Sequence, residues 1–253
     1  MIAEHATVLF SGGMDSTICL HWARANFDAV ELVSIDYGQV HAVELEAAEE
    51  IARRNGLRRT TYRLDALQQV GDSALLAGSA GSAGGAGSAG GTGSAGGTGS
   101  AGGTGSAGGA GPVDATEAHS GLPASFVPGR NDFFLNIAAA HAYREQREGA
   151  LHLVTGVCQT DYSGYPDCRQ EYISAKAVSL GLALDRRIYI HTPLMWLTKA
   201  QSVLLARDLG AMEDAAFTHT CYEGVRGGCG QCPACQLRAR GFAEAGVADP
   251  IAQ

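Results

Sequence analysis

Four cysteines, Cys221, Cys229, Cys232 and Cys235, follow a C-x7-C-x2-C-x2-C spacing. The last three are close enough for a tight knuckle to aim their sulfurs at one point, and Gly227, Gly228 and Gly230 ease the turns it needs. Four thiolates with no other nearby ligand predict a closed tetrahedral Zn2+ site, structural in kind and one per chain. A redox C-x-x-C pair or plain free thiols leave the fourth cysteine without a role. C-x2-C-x2-C also serves iron–sulfur clusters, so that alternative stays open. A second group with chemical potential is Phe10-Ser11-Gly12-Gly13-Met14-Asp15-Ser16-Thr17. The apolar run Thr7–Phe10 reads as a buried strand, and a helical pattern starts near Ser16 with Ile18, Leu20, Trp22 and Ala23 as apolar positions. Strand, glycine loop and helix N-terminus form an anion site, because free N–H groups point outward and the helix dipole favours negative charge. Gly12 and Gly13 permit positive φ and close approach of a phosphate, while Ser11, Ser16 and Thr17 can add hydroxyl donors. The G-x-x-x-x-G-K-[ST] pattern is missing here. The plain alternative is a tight strand-to-helix turn with Ser16 as its N-cap.

Three further places could meet a ligand. Asp36, Tyr37 and Gln39 follow the second apolar run, Ala29 to Asp36, where ordinary turn chemistry competes with a binding role. Arg130, beside Asn131, precedes a helical stretch, Phe133 to Glu148, that Asn131 or Asp132 can cap. A cation at a helix start opposes the dipole, so a phosphate or carboxylate ligand, or a surface ion pair, is expected to hold it. The segment from Gly156 to Arg169 is long and polar for a strand-to-helix connection, with Tyr162 and Tyr165 able to stack on a flat ring. Cys19 reads as core, and Cys158 and Cys168 as loop thiols, reactive or merely packed.

The elements that must position these residues alternate. Strands are expected at Thr7–Phe10, Ala29–Asp36, Thr60–Leu64, Leu151–Val157 and Arg187–Ile190. Helices are expected at His41–Asn55 with Gly56 past its end, at Phe133–Glu148, at Glu171–Leu180 and at Lys199–Gly210 with Thr198 as cap. That alternation predicts an α/β fold with a parallel, doubly wound sheet whose ligands sit at the carboxyl ends of the strands. A cysteine-bearing helical segment follows it. The expected division is residues 1–217 and 218–253. Residues Gly81–Ala110 are five G-S-A-G-G-[AT] hexapeptides with no charge, aromatic or large apolar side chain. With nothing to bury, the tract at 78–111 reads as a flexible surface insertion rather than a boundary.

The chain has 253 residues and a net charge of -8, which suits one or two globular domains and makes unaided grasp of a nucleic-acid backbone a poor expectation. With neither a long apolar run nor a charged-then-apolar leader, neither a membrane span nor a secretory signal is expected. Seven cysteines, an odd number, fit reduced thiols in the cytoplasm better than a disulfide framework.

The S-G-G-x-D-S loop is similar to that of the PP-loop ATP pyrophosphatases. With FSGGMDST, IDYGQVH, PGRNDFFL, TGVCQTDYSGYPDCR, HTPLMWLTKAQ and HTCYEGVRGGCGQCPACQLR, the chain closely resembles the 7-cyano-7-deazaguanine synthases of queuosine biosynthesis. The matches cover nearly all of the chain outside the Gly/Ser/Ala tract. Val40 stands where that family commonly has Arg. The resemblance implies a PP-loop, adenine nucleotide alpha hydrolase-like fold and a ligase that converts 7-carboxy-7-deazaguanine, ammonia and ATP, with Mg2+, into the nitrile. Adenylation turns a poor acyl donor into a good one, ammonia gives an amide, and a second activation lets the amide oxygen leave. It further implies nucleotide contacts from Phe10, Ser11, Gly12, Gly13, Met14, Asp15, Ser16, Thr17 and Leu20. Substrate contacts are implied for Tyr37, Gln39, Arg130, Asn131, Gly156, Thr160, Asp161, Tyr165 and Asp167. Asp15 and Arg130 would be catalytic, Cys221, Cys229, Cys232 and Cys235 would bind zinc, and the assembly would be a homodimer. No residue stands out as a general base. The competing functions are a PP-loop tRNA thiolase or another adenylating amide ligase, and a non-catalytic ATP-sensing zinc module. A thiolase would need Cys158 and Cys168 as a reactive pair and an RNA-binding surface.

Overall fold

A computed structural model describes residues 4–38, 43–67, 117–118, 122–123, 126–159 and 165–251. Gln39, Val40, Thr160, Asp161 and the insertion at 78–111 lie outside them. The strands are β1 (His5–Leu9), β2 (Ala29–Asp36), β3 (Arg59–Arg63), β4 (Glu117–Ala118), β5 (Leu122–Pro123), β6 (Leu151–Val154) and β7 (Ile188–His191). The helices are α1 (Met14–Asn26), α2 (Val43–Arg54), α3 (Arg130–Glu145), α4 (Gln170–Leu184), α5 (Lys199–Asp208), α6 (Met212–Ala215) and α7 (Pro233–Ala245). Five strands make one sheet in the order β3-β2-β1-β6-β7, with every pairing parallel. The two-residue strands β4 and β5 pair antiparallel with each other. The chain winds outward from β1 to β3, then returns to the other side of β1 for β6 and β7. A sheet with such a reversal opens a crevice at the carboxyl ends of the strands on either side of it, here β1 and β6.

Covered on both faces, the central strands carry apolar side chains in near-continuous runs, such as Leu32 and Val33 in β2. One core cluster joins Ile18, Leu20, Leu32, Ile51 and Val203, and it includes Phe242 from α7. A second joins Leu135, Leu151, Leu153, Ile173 and Leu180. Cys19 is fully buried, as expected, and burial pushes its thiol well above the usual range.

The expected elements are all present, with boundaries shifted by local chemistry. α2 keeps its acidic first turn and basic last turn, and Gly56 follows it at φ +63, donating to Arg53 O at 3.2 Å. Thr198 caps α5 in a capping box with Gln201. α3 departs from expectation: it starts at Arg130, and its N-cap is Gly129 at φ +70, without a side-chain cap. Asp132 is drawn away into a tertiary contact, accepting from Lys176 Nζ at 2.6 Å and Tyr172 OH at 2.9 Å. Among the described residues, no helix is long and apolar enough to cross a membrane.

Candidate active site

The glycine loop between β1 and α1 is built from its own hydroxyls. Gly13 is the N-cap of α1, extended at φ -79, so of the two loop glycines Gly12, at φ +85, takes the left-handed conformation. Gly12 is also sterically required. A Cβ there would lie 2.4 Å from Glu44 O and 2.6 Å from Ala48 N, so the first turns of α2 press directly on the loop. Ser16 donates to Gly13 O at 2.9 Å and its oxygen lies 3.2 Å from Ser11 Oγ, which accepts from Gly13 N. Ser16 therefore braces the loop rather than capping the helix. Thr17 also donates to Gly13 O, at 3.0 Å.

A cavity of about 350 Å3 opens beside this loop at the carboxyl ends of the strands. Ser11, Asp15 and Ser16 form one part of its wall, Tyr37, Arg130 and Asn131 another, and Gly156, Cys158 and Tyr165 a third. Phe10 lines it as well. Met14, Thr17 and Leu20 do not: all three are buried, Leu20 completely, and the Thr17 hydroxyl is spent on Gly13 O. Asp36 is likewise outside the wall, its Oδ1 accepting from Gly38 N in plain turn chemistry.

Asp15 faces the cavity from the first turn of α1, where the dipole favours its charge. Both of its oxygens accept from Lys199 Nζ at 2.9 Å. Lys199 opens α5 and fits against Gly241 of α7, where a Cβ would meet Lys199 Cγ at 2.4 Å. Arg130 opens α3 with its guanidinium 5.9 Å from the centre of the Tyr165 ring, and it hydrogen-bonds to Tyr37. Burial works against its charge, but Tyr37, Tyr165 and Asp167 outweigh that and keep it protonated. Asp167 is only 8% exposed; its Oδ2 accepts from Asn131 N at 3.2 Å, while its buried Oδ1 has no hydrogen-bond partner among the described residues.

Glu44, Tyr222 and His219 also line the cavity. Burial pushes the Glu44 carboxyl up to about 7, with Arg130 pulling the other way. Burial pushes Tyr222 up to about 12. The two loop thiols are packed, not poised. Cys158 donates to Leu197 O at 3.4 Å, and burial pushes Cys168 up to about 12.

The sulfurs of Cys221, Cys229, Cys232 and Cys235 lie within 4.8 Å of one another. Bonds of ~2.3 Å in a tetrahedral shell put sulfurs about 3.8 Å apart, so the cluster fits a Zn2+ ion with little adjustment. The knuckle is tied to the glycine loop next door: His219 N donates to Gly12 O at 3.0 Å, and the His219 ring nitrogen lies 2.8 Å from Cys221 O.

The sequence matches the family described as "Queuosine biosynthesis protein QueC" over residues 5–84 and 105–246. The chain belongs to the QueC family. This member of the QueC family is 45% identical to the 7-cyano-7-deazaguanine synthase of Chromobacterium violaceum, over 99% of this chain and 94% of the relative. It is 44% identical to that of Laribacter hongkongensis, over 98% and 94%, and 41% identical to that of Staphylococcus saprophyticus, over 96% and 95%. Sequence reading of this QueC chain missed Lys199, Glu44, His219 and Tyr222. Lys199 was legible only as the first residue of a capped helix, and Glu44 only as one of four Glu in an amphipathic one. What reveals both is the packing of α5 and α2 against the loop.

Proposed function

We propose that this chain joins the nitrogen of ammonia to 7-carboxy-7-deazaguanine and carries the product on to 7-cyano-7-deazaguanine, using ATP at each activation. The observation that carries the reading is one cavity of about 350 Å3 whose lining joins Ser11, Asp15 and Ser16 of the glycine loop to Tyr37, Arg130, Asn131 and Tyr165. Its support is membership of a family whose relatives at 41–45% identity bear that synthase's name. Ser11, Asp15 and Ser16 line the cavity where the departing pyrophosphate would sit, with Gly12 and Gly13 outside the wall shaping the loop, and Asp15 would be the carboxylate nearest the metal that accompanies ATP. Mg2+ would spread the phosphate charge and be held largely by the nucleotide itself. Arg130 would attract the substrate carboxylate, and the Tyr165 ring beside it would flank the flat base. Asp167 is outside the cavity wall and accepts from Asn131 N, so it would position Asn131, which does line the cavity, rather than meet the base itself. Zinc in the cysteine knuckle would be structural, since four thiolates leave no open position.

A thiolase reading has no support from the two loop cysteines, because packing keeps Cys168 protonated and ties Cys158 to backbone oxygen. Incubation with ATP, Mg2+, ammonium and 7-carboxy-7-deazaguanine, read by mass spectrometry, is expected to give the nitrile with two AMP per product. Absence of AMP and pyrophosphate release would favour a nucleotide-sensing module instead.

A further inference from the structure

The cavity wall carries two carboxylates among the described residues, Asp15 and Glu44. Asp15 is engaged through both oxygens by Lys199. Glu44 stands elsewhere, in the first turn of α2, with its backbone oxygen pressed on Gly12 of the phosphate loop. Its side chain faces the same space as Arg130, Tyr37 and Tyr222. Glu44 thus lines the cavity that both the glycine loop and Arg130 face, with its backbone against that loop and its carboxyl within electrostatic reach of Arg130, Tyr37 and Tyr222.

The reaction proposed above must shed protons from nitrogen. Ammonia adds to the acyl adenylate as an ammonium-bearing adduct, which must lose a proton for the amide to form. The amide then loses both remaining N–H protons on its way to the nitrile. Resting on that functional reading, we propose that the Glu44 carboxylate is the base that accepts protons from the reacting nitrogen. In the first half, the C–N bond forms, the proton passes from nitrogen to a Glu44 oxygen, and the C–O bond to the adenylate breaks with its electron pair leaving on AMP. In the second half, the amide oxygen attacks the α-phosphorus of ATP and pyrophosphate leaves. One N–H proton is then lost to give the neutral imidate. As the second departs, its electron pair completes the triple bond and the C–O pair again leaves on AMP. Glu44 returns each proton to solvent.

The electrostatics suit the role. A carboxyl held at about 7 is half ionised near neutrality and binds a proton more firmly than an ordinary glutamate. Arg130 beside it stays cationic, and burial keeps the Tyr37 and Tyr222 phenols neutral.

The test uses the full chain and Glu44→Gln. ATP–pyrophosphate exchange with 7-carboxy-7-deazaguanine, without ammonium, reads adenylation; single-turnover nitrile formation from the carboxylate and from the amide reads nitrogen chemistry. We expect exchange to stay within about threefold of the wild type while nitrile formation drops ~100-fold or more from either substrate. From the amide, a substrate that needs no free ammonia, the wild-type rate is expected to rise with pH through about 7 as the carboxylate forms, and the variant to lose that limb. Glu44→Asp, which keeps a carboxylate, is expected to retain the limb at a reduced rate. Nitrile formation by Glu44→Gln at wild-type rate, or exchange lost as completely as nitrile formation, would overturn the proposal. A wild-type chain that neither exchanges pyrophosphate nor forms nitrile would instead overturn the functional reading.

Discussion

Asp15 and Lys199 are 184 positions apart and meet through both carboxylate oxygens. The pair is partly open to the cavity, with side-chain exposures of 31% and 13%, so its contribution to folding is small, about 0–1 kcal/mol. Asp15→Asn preserves shape and is expected to cut nitrile formation at least ~100-fold while moving Tm by only a few degrees. Steady-state kinetics with thermal melting checks it; early melting with normal turnover per folded molecule would make Asp15 structural. Glu31 is the opposite case. It is buried, and although burial alone would raise its pKa, hydrogen bonds from His141 and Arg58 bring it below the usual value of 4.5. Thr7 donates to it at 3.1 Å and Arg58 at 2.6 Å. A depressed folded pKa stabilises above the unfolded value, and that stability is lost as pH falls through the folded one. Acid should therefore lower Tm below about pH 4.5, with Asp214, which accepts from Asn55, His21 and Arg54, adding to the slope. Glu31→Gln is expected to cost about 3 kcal/mol at neutral pH and to flatten the acid decline, read as Tm against pH.

At the scale of elements, the cysteine knuckle and the glycine loop share a seam. Cys232 is the N-cap of α7, Pro233 starts that helix, and Arg238 within it holds Asp249 through two hydrogen bonds of 2.8 Å. Upstream, His219 joins Cys221 to Gly12. Metal loss should loosen both ends of this seam. We expect about one zinc per chain by metal analysis, and faster amide exchange in 218–240 and around Gly12 after chelation or in Cys232→Ser, because binding energy there is folding energy. Iron in the site, or an unchanged exchange pattern without metal, would refute this. The same elements show what sequence can carry. The parallel sheet was legible because apolar runs alternate with helical periods, and the knuckle because its ligands are neighbours in the chain. Glu44 and Lys199 were not, since both face the cavity through packing between distant elements. The expected Asn131 or Asp132 cap failed for a related reason: a local hydrogen bond lost to a tertiary one with Lys176 and Tyr172.

For the whole molecule, the described parts converge on the crevice between β1 and β6. Phe242 of α7 and Val203 of α5 sit in the same core cluster as Leu20 and Leu32, so the cysteine-bearing segment shares the packing of the sheet domain. The hexapeptides of the Gly/Ser/Ala tract carry no charged, aromatic or large apolar side chain, and the family match passes over 85–104 within it. Shortening a loop changes closure entropy only logarithmically, so halving its length is worth about 0.6 kcal/mol. Deleting Gly81–Ala110 is therefore expected to leave Tm within a few degrees and nitrile formation within about twofold of the full chain. The comparison should be made on matched preparations by melting and by single-turnover assay with saturating ATP. A large fall in Tm would mean that the tract orders its flanks. An unchanged Tm with abolished turnover would mean that the tract contributes to the reaction through its backbone or its Ser and Thr hydroxyls.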